Sequence, residues 1–446
     1  MPVHPSRRHF LQSTAFAGAG FFIGGAVAAQ ESKSPNSKLN LAHIGVGGRG
    51  GSSVGLGENV VALCDVDSRQ VERQLQKHTA AKGYADFRKM FEEMAEKIDA
   101  VTVGTPDHIH APACIAAMKL GKHIYVEKPL AHNVYECRMM SKVAKEKSIV
   151  SQLGNQHHAD FQVHRAAQLI QADVIGKVKE VHLGHGLNGK ATTVFPQQAG
   201  PALQGQSGRP TAQAELPAGL NWDLWLGPAK ERPYHPSYCP FNWRGWRDFG
   251  TGGMGDFFCH FGDPAYFALR LQYPLSVEAV GQTVPYERFG NITVRYGYPM
   301  PDDPKRLVTV YWHGHQSGPP AELLDGEEGT CLLVGEKGQM LCKHAKNGGK
   351  DPLLLPKEKF KDVKLPEPTY KPVSHHGDWI SAIKNSKKSS CDFPTFGAYL
   401  GEAAVLGYAA LWAGKKLDYD GPNMKFTNAP DADQYLRREY RKGWDL

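Results

Sequence analysis

The distribution of hydrophobic and polar positions divides the chain into two parts. Between residues 39 and 155, short apolar runs of strand length alternate with segments that repeat apolar residues at helical spacing. The apolar runs occupy residues 39–44, 60–64, 100–103, 123–126 and 148–153. The helical segments open at Ser68, at Asp86 and at Asn133, and an alanine-rich one ends at Gly121. Strands that alternate with helices predict an α/β domain with a doubly wound parallel sheet.

From residue 177 onward the pattern changes to alternating, strand-rich runs at residues 178–183, 292–296, 307–312 and 330–334. These runs predict a second domain, residues 156–424, with a mostly antiparallel sheet. An alanine-rich helix at 396–414 is expected to pack back between the domains, and residues 425–446 form a tail that closes over the surface. Residues 187–219 are rich in Gly, Pro and Gln and predict a long functional or partly disordered loop.

The first thirty residues carry an export pattern. Residues 6–11, SRRHFL, precede a glycine- and alanine-rich apolar run that ends in the small-x-small sequence Ala26-Val27-Ala28. This pattern resembles a twin-arginine signal peptide, residues 1–30, followed by a polar linker at 31–38. It predicts the twin-arginine export machinery as a partner and a periplasmic or otherwise exported protein. Anchoring in the membrane through an uncleaved signal is the alternative.

Composition narrows the functional classes. The chain has 446 residues, of which 41% are hydrophobic and 22% charged, and a net charge of +7 without a dense basic stripe, so nucleic-acid binding is not expected. Its eight cysteines are scattered singly and predict buried free thiols. No metal is expected, because the histidine doublets at His157 and His375 and the pair His313-x-His315 lack a third ligand at a readable spacing.

A glycine motif follows the first apolar run. Gly45-x-Gly47-x-x-Gly50 stands after a predicted strand and before a predicted helix, and Asp65 ends the next strand. Such glycines allow a tight turn and close approach of a pyrophosphate, which the amides of the following helix would bind. A carboxylate at Asp65 favours NAD, because it repels a 2′-phosphate, and NADP is the alternative if Arg69 neutralises that phosphate.

Two further motifs carry candidate chemistry. Glu127 and Lys128 follow the strand at 123–126, at the sheet edge where ligands bind. Asp256 and His260 are four residues apart, so that on a helix they share one face, either as an acid–base pair or as a structural helix pair. The aromatic stretch 222–249 is consistent with a sugar-binding pocket or with a surface loop that caps the sheet, and both interpretations stay open.

Taken together, these motifs, with Thr105-Pro106-Asp107-His108 and Glu127-Lys128-Pro129, resemble the Gfo/Idh/MocA oxidoreductase family and its exported bacterial branch. The resemblance implies an N-terminal NAD(P)-binding Rossmann domain at residues 39–155, a C-terminal α+β domain with an open sheet, and a homo-oligomer. The implied catalytic residues are Lys128, Asp256 and His260. The implied cofactor contacts are Gly45, Gly47, Gly48, Arg49, Gly50, Asp65, Thr105, Pro106, His108, Glu127 and Lys128. The implied substrate contacts are Asn155, Trp243, Arg244, Asp256 and His260.

Three functional hypotheses follow. The first is an exported oxidoreductase that moves a hydride between a sugar or polyol hydroxyl and a nicotinamide cofactor, NAD or alternatively NADP, which stays bound because free cofactor is scarce outside the cytoplasm. The second is an NAD-dependent enzyme that cleaves glycosides through a transient oxidation. The third is a non-catalytic carbohydrate-binding protein. An intact Lys128 and His260 favour the first two hypotheses.

Overall fold

A computed structural model describes residues 38–187, 208–210, 212–281, 292–314, 317–343 and 350–446. The predicted signal peptide, nearly all of the linker and most of the loop 187–219 lie outside the described residues. In the described ranges, no helix is long and apolar enough to cross a bilayer.

The first part of the chain folds into a six-stranded parallel sheet. Its strands are β1 (Asn40–Ile44), β2 (Asn59–Cys64), β3 (Lys82–Tyr84), β4 (Ala100–Val103), β5 (His123–Glu127) and β6 (Ser151–Gly154). Their order is β3-β2-β1-β4-β5-β6, which is the Rossmann order with a crossover between β1 and β4. The predicted doubly wound sheet is confirmed, because the apolar runs are covered on both faces.

Four helices connect these strands: α1 (Ser68–Leu75), α2 (Phe87–Met94), α3 (Asp107–Lys119) and α4 (Val134–Glu146). Three of them start within one residue of the positions predicted from the sequence, Ser68, Asp86 and Asn133. The side chains of Asp67, Asp86 and Asn133 accept hydrogen bonds from backbone N–H groups in the first turns of α1, α2 and α4.

The prediction of a helix directly after the glycine motif is wrong. Residues Gly50–Ser53 form a single 3₁₀ turn, and the backbone then passes through positive φ at Gly55 and Gly57 before β2 begins. Glycine and serine are poor helix formers, and only fourteen residues separate β1 from β2, so the connection has no room for a covering helix. A ligand at this edge therefore meets loop backbone rather than a long helix.

The second part of the chain forms a nine-stranded sheet. Its strands are β7 (Val178–Gly184), β8 (Ser276–Gly281), β9 (Ile292–Met300), β10 (Asp303–His313), β11 (Cys331–Gly335), β12 (Gln339–Cys342), β13 (Leu353–Leu355), β14 (Leu417–Asp420) and β15 (Lys425–Phe426). Their order is β13-β12-β11-β7-β10-β9-β8-β14-β15. The pair β7–β10 is parallel and the other described pairs are antiparallel, which confirms a mostly antiparallel second sheet.

The helices of the second part are α5 (Phe161–Gln171), α6 (Trp222–Leu226), α7 (Gly252–Leu269), α8 (Lys357–Phe360), α9 (His375–Lys384) and α10 (Ala398–Ala413). Helix α10 lies between the domains, as expected. Glu402 on α10 forms an ion pair with Arg138 on α4, while the carbonyl of Ala403 accepts a hydrogen bond of 2.7 Å from the hydroxyl of Tyr296 in the second sheet.

Some later segments return to the first domain. Trp379 on α9 is fully buried in an apolar cluster with Leu41 and Tyr125 of the parallel sheet. Residues 375–384 therefore complete the first domain, although the sequence assigned them to the second. All eight cysteines are free and buried, as predicted.

Candidate functional site

A cavity of about 1010 Å³ lies along the carboxyl edge of the parallel sheet, where residues of the second domain face it. Its volume is at the upper end of the range for small-molecule sites. One end is bordered by Asp65 and Arg69, and the other by Lys128 and His260. The glycine loop between β1 and the 3₁₀ turn lies between the two ends.

At two positions of the glycine loop, Gly45 and Gly50, the backbone packs so closely against neighbouring backbone that no side chain fits. A Cβ atom on Gly45 would lie 2.8 Å from the carbonyl carbon of Gly104, and one on Gly50 would lie 2.0 Å from the oxygen of Gly45. A Cβ atom on Gly48, by contrast, would have no atom within 4 Å. The loop thus offers bare backbone to the cavity, which is what a pyrophosphate needs. Beside it, the buried hydroxyl of Thr105 has no hydrogen-bond partner among the described residues.

Asp65 braces this loop. Its carboxylate accepts hydrogen bonds from the backbone N–H groups of Val46 (2.9 Å), Gly47 (3.2 Å) and Asp67 (3.0 Å). Burial raises the pKa of Asp65 above its ordinary value, against the opposing effect of these bonds. At the rim beside it, Arg69 donates from Nε (2.8 Å) and Nη2 (2.7 Å) to the carboxylate of Asp67.

Glu127 is held at the end of β5. Both of its carboxylate oxygens accept from the amide of Gln156, at 3.0 and 3.1 Å, and the guanidinium of Arg49 lies 3.5 Å away. Arg49 and Glu127 both line the cavity. The ion pair therefore links the glycine loop to the strand that carries Lys128.

Lys128 and Asp256 form a tight ion pair across the junction of the two domains. The ammonium group donates to the Asp256 carboxylate and also approaches its backbone oxygen at 3.1 Å. Both side chains are largely buried, at 16% and 10% exposure, so the pair is poorly screened by water. Asp256 lies near the start of α7, and His260 lies one turn further along the same helix on the wall of the cavity.

Arg244 extends this pair into a network. Its Nη1 lies 3.1 Å from both carboxylate oxygens of Asp107, and its Nε lies 3.4 Å from Asp256. The hydroxyl of Thr251 donates to Asp107 at 2.7 Å. Burial opposes the charge of Arg244, but the two carboxylates raise its pKa above the ordinary value. Two cations and two anions thus meet at this end of the cavity.

Two members of the site were missed at the sequence level. Asp107 follows Thr105-Pro106 directly, and its position at the start of α3 was the available signal. His157 lines the cavity, its ring packs edge-on against His260 with centroids 5.4 Å apart, and its Nδ1 lies 2.6 Å from Asp160. In the sequence, the doublet His157-His158 indicates only a candidate metal ligand.

Three residues expected to touch ligand lie behind the cavity walls. Both ring nitrogens of His108 face backbone carbonyls, those of Phe249 (3.2 Å) and Trp225 (2.9 Å). The amide of Asn155 donates to Asp263 (2.6 Å) and to the carbonyl of Cys259. Gly50 packs against Gly45 and Gly104. All three residues therefore support the cavity walls: polar groups of the second domain bind His108 and Asn155, and backbone of the first domain covers Gly50.

Residues 222–249, the aromatic stretch, are divided between the apolar core and the wall of the cavity. Trp246 and Phe249 are fully buried in a small apolar cluster of their own. Trp225 and Trp243 line the cavity, and Trp243 lies under the guanidinium of Arg244 at 4.3 Å. We call residues 217–244, which contribute this wall, the roof segment.

The end of the cavity that Lys128 and His260 border suits proton transfer at a hydroxyl group. An ammonium, a carboxylate and an imidazole face a common space there, which provides a donor, an acceptor and charge stabilisation. Among the described residues, no group of three or more His, Cys, Asp or Glu side chains is placed to hold a metal ion.

Comparison with known families gives two matches. Residues 13–155 match the model described as an oxidoreductase family with NAD-binding Rossmann fold, Gfo/Idh/MocA. Residues 202–307 match the C-terminal alpha/beta domain of the same oxidoreductase family. Together the two segments cover more than half of the chain.

The sequence is also similar to parts of individual proteins. A glycosyl hydrolase family 109 protein of Solibacter usitatus is 34% identical over 152 residues, which are 30% of this chain and 34% of that protein. Levoglucosan dehydrogenase of Pseudarthrobacter phenanthrenivorans is 34% identical over 94 residues, 21% of this chain and 24% of that protein. Inositol 2-dehydrogenase of Salmonella typhimurium is 27% identical over 131 residues, 29% and 38% of the two chains. The matched segments thus span between 24% and 38% of these relatives.

Solved structures share the fold over most of the chain. The aldose-aldose oxidoreductase of Caulobacter crescentus, complexed with glycerol, has a TM-score of 0.56 at 17% identity and covers 86% of this chain and 100% of its own. Levoglucosan dehydrogenase in complex with NADH has a TM-score of 0.54 at 17% identity, over 85% and 98% of the two chains.

Proposed function

This chain belongs to the Gfo/Idh/MocA oxidoreductase family, and we propose that it transfers a hydride between a sugar or polyol hydroxyl and a tightly held NAD. The observation that carries the proposal is the Lys128–Asp256 ion pair, with His260 beside it, at one end of the cavity that the glycine loop borders. Those groups supply a proton acceptor and a fixed positive charge, which assist the oxidation of an alcohol next to a bound dinucleotide.

The residues at the sheet edge fit a nicotinamide dinucleotide. Bare backbone at Gly47 and Gly48, together with the unpartnered hydroxyl of Thr105, would hold the pyrophosphate. The carboxylate of Asp65 would border the adenosine ribose, and Lys128 the nicotinamide end. A bound oxidised nicotinamide supplies the hydride acceptor.

The proposed roles of the side chains follow from their charges. His260 accepts the proton of the substrate hydroxyl, and the ammonium of Lys128 stabilises the oxygen as negative charge develops on it. Asp256 fixes the position of that ammonium through their ion pair. Arg244 and Asp107 hold Asp256 in turn, so that the reacting groups keep their orientation without reorganisation.

NAD rather than NADP is supported by the rim of the cavity. Asp65 places negative charge where a 2′-phosphate would lie. Arg69, the residue that could neutralise that phosphate, is engaged by Asp67 through two hydrogen bonds.

A carbohydrate substrate is supported by two lines of reasoning. The ring of Trp243 offers an aromatic face for sugar C–H groups next to the charged side chains of Arg244 and Asp256. Relatives of this chain carry the names levoglucosan dehydrogenase and inositol 2-dehydrogenase. We extend that substrate class to this protein.

Export is part of the proposal. The twin-arginine pattern at residues 6–11 supports a periplasmic location, where the enzyme would keep its nucleotide and work as a homo-oligomer on small carbohydrates. A cofactor that stays bound must be returned to its starting state by a second substrate or by the product.

Glycoside cleavage without net oxidation is the second candidate, because one of the relatives is a glycosyl hydrolase family 109 protein. A chromogenic glycoside separates the two. Release of the aglycone without any added acceptor favours cleavage. Reduction of the nucleotide by free aldoses or polyols, without aglycone release, supports the oxidoreductase.

A further inference from the structure

The cavity continues past Asp65, away from the end that Lys128 and His260 border. Its far wall is made by Phe87 at the start of α2, Ile109 on α3, Leu224 in the roof segment, and Trp444. In a Rossmann fold the adenosine half of a dinucleotide lies on this side, beyond the acidic residue that ends β2. The proposed function therefore places adenine next to Trp444, more than three hundred positions from the glycine loop.

Trp444 is held in place by the first domain. Only 7% of its surface is exposed, its ring meets Phe87 edge-on with centroids 6.0 Å apart, and the guanidinium of Arg88 lies over it at 4.3 Å. Arg88 also donates to the carbonyl of Gly443 at 3.4 Å. The indole is thus an ordered part of the cavity wall.

Arg441 fastens the same segment to the roof. Its Nη1 forms an ion pair with the carboxylate of Asp223 at 2.5 Å, while Nη2 and Nε donate to the carbonyls of Asp223 and Gly227 at 2.8 and 2.9 Å. The backbone N–H of Arg441 also donates to the carbonyl oxygen of Pro228 at 3.1 Å. Gly227 has a φ of +50°, and a Cβ atom there would lie 2.3 Å from Ile109, so tail, roof segment and α3 meet without spare space.

A second fastening joins the tail to α4. The guanidinium of Arg438 and the hydroxyl of Tyr440 both donate to the buried carboxylate of Glu136, at 2.9 Å each. Arg438 also donates to the carbonyl of His108 at 2.7 Å. The tail is thus held at two points, a buried carboxylate on α4 and the exposed carboxylate of Asp223 in the roof segment, and the two tail arginines that bind them lie just before Trp444 in the sequence.

We propose that residues 438–446 are a latch over the adenine end of the cavity, with Trp444 as the wall that packs against the adenine and Arg441 as the residue that ties the latch to the roof segment. The inference rests on the proposed function, since it assumes a bound dinucleotide. It explains how this chain would retain a nucleotide, because the ligand leaves that end only after the contacts of Arg441 open.

The test is calorimetric titration of the full chain, stripped of nucleotide, with ADP, which carries the adenine but no nicotinamide. Trp444→Ala should weaken ADP binding about tenfold or more, as expected for loss of a base–aromatic contact, and Trp444→Phe should restore most of it. Arg441→Ala should speed the release of preloaded NAD. Arg437→Ala is the matched control. The substitution removes the same charge from the tail, but Arg437 is exposed and contacts Tyr135 on α4.

The outcomes distinguish a failure of the latch proposal from a failure of the proposed function. If Trp444→Ala binds ADP within twofold of the wild type, or if Arg437→Ala releases NAD as fast as Arg441→Ala, the latch is wrong and the dinucleotide site stands. If the wild type takes up neither ADP nor NAD, the proposed function fails and the latch with it. Thermal melting of each variant shows whether it is folded.

Discussion

The guanidinium of Arg244 lies 3.1 Å from both carboxylate oxygens of Asp107, although the two residues are 137 positions apart and belong to different domains. Asp107 is fully buried at the start of α3. Because Arg244 also lies next to Asp256, which forms an ion pair with Lys128, the contact couples the junction of the domains to the Lys128–Asp256 pair.

Replacement of Asp107 by Asn should therefore damage both stability and activity. Leaving one partner of a buried ion pair without its counter-charge costs about 3–5 kcal/mol. Urea unfolding should show a loss of that order, and turnover of the proposed substrates should fall while ADP binding is kept. Thr251→Val is a control, since it removes the 2.7 Å hydrogen bond to Asp107 but leaves the charges. Equal effects of the two variants would argue against the ion pair.

Lys128→Met should slow hydride transfer strongly without loss of nucleotide. The ammonium is proposed to stabilise developing charge, and removing such a group lowers the rate about 10²–10⁴-fold. Appearance of reduced nicotinamide is followed by its near-ultraviolet absorbance after mixing with aldoses or polyols. Lys128→Arg, which keeps the charge but changes its geometry, should recover only part of the rate. Full turnover by Lys128→Met would refute the assigned role.

Gly50→Ala should weaken nucleotide binding, because the added methyl group would lie 2.0 Å from the carbonyl oxygen of Gly45. Forcing the loop to move costs about 1–3 kcal/mol and displaces the backbone that borders the cavity. Calorimetry with ADP measures the binding and thermal melting measures the stability. Gly208→Ala is the control, since nothing lies within 4 Å of its added methyl group. Normal ADP affinity of Gly50→Ala would contradict this reading of the loop.

The strands of the first sheet, and the positions of Lys128 at a strand end and of Asp256 and His260 on one helix, were predictable because they depend on local signals. Apolar runs of strand length, the helix starts at Ser68 and Asp86, and the spacing of Asp256 and His260 are all set within a few residues. The helix after Gly50 could have been rejected as well, since residues 51–57 contain three glycines and two serines.

The remaining features depend on contacts between distant segments, which spacing does not reveal. His108 is buried because the carbonyls of Trp225 and Phe249 come to its ring. Asn155 is withdrawn from the cavity by Asp263, which is 108 positions away. Trp444 reaches Phe87 only because the tail crosses back to the first domain.

His108 also predicts a pH dependence of stability. Burial lowers its pKa to about 3 in the folded chain, whereas an unfolded histidine titrates near 6.5. The unfolded state therefore binds a proton first as the pH falls. Stability should be complete above about pH 6.5 and should be lost progressively toward pH 3, by about 2 kcal/mol at about pH 5 for this group. Urea unfolding of His108→Gln should show a smaller loss between about pH 7 and pH 5, and an unchanged loss would contradict the assignment.

Asp67 should influence the choice of nucleotide. In the wild type its carboxylate engages Arg69 at the rim of the cavity. Asp67→Asn leaves the guanidinium available to a 2′-phosphate, so the affinity for NADP should rise relative to NAD by about tenfold. Parallel titrations with the two nucleotides measure the ratio. The double variant Asp67→Asn, Arg69→Ala should not show the increased affinity for NADP. If the increase persists in the double variant, Arg69 is not its cause.

The most direct test of the account is to denature the purified protein and identify by mass any small molecule that it releases. The account predicts a nicotinamide dinucleotide without a 2′-phosphate, recovered although none was added, and recovered equally from Lys128→Met. A protein that releases no nucleotide, and that then takes up neither NAD nor NADP when each is supplied, would contradict it.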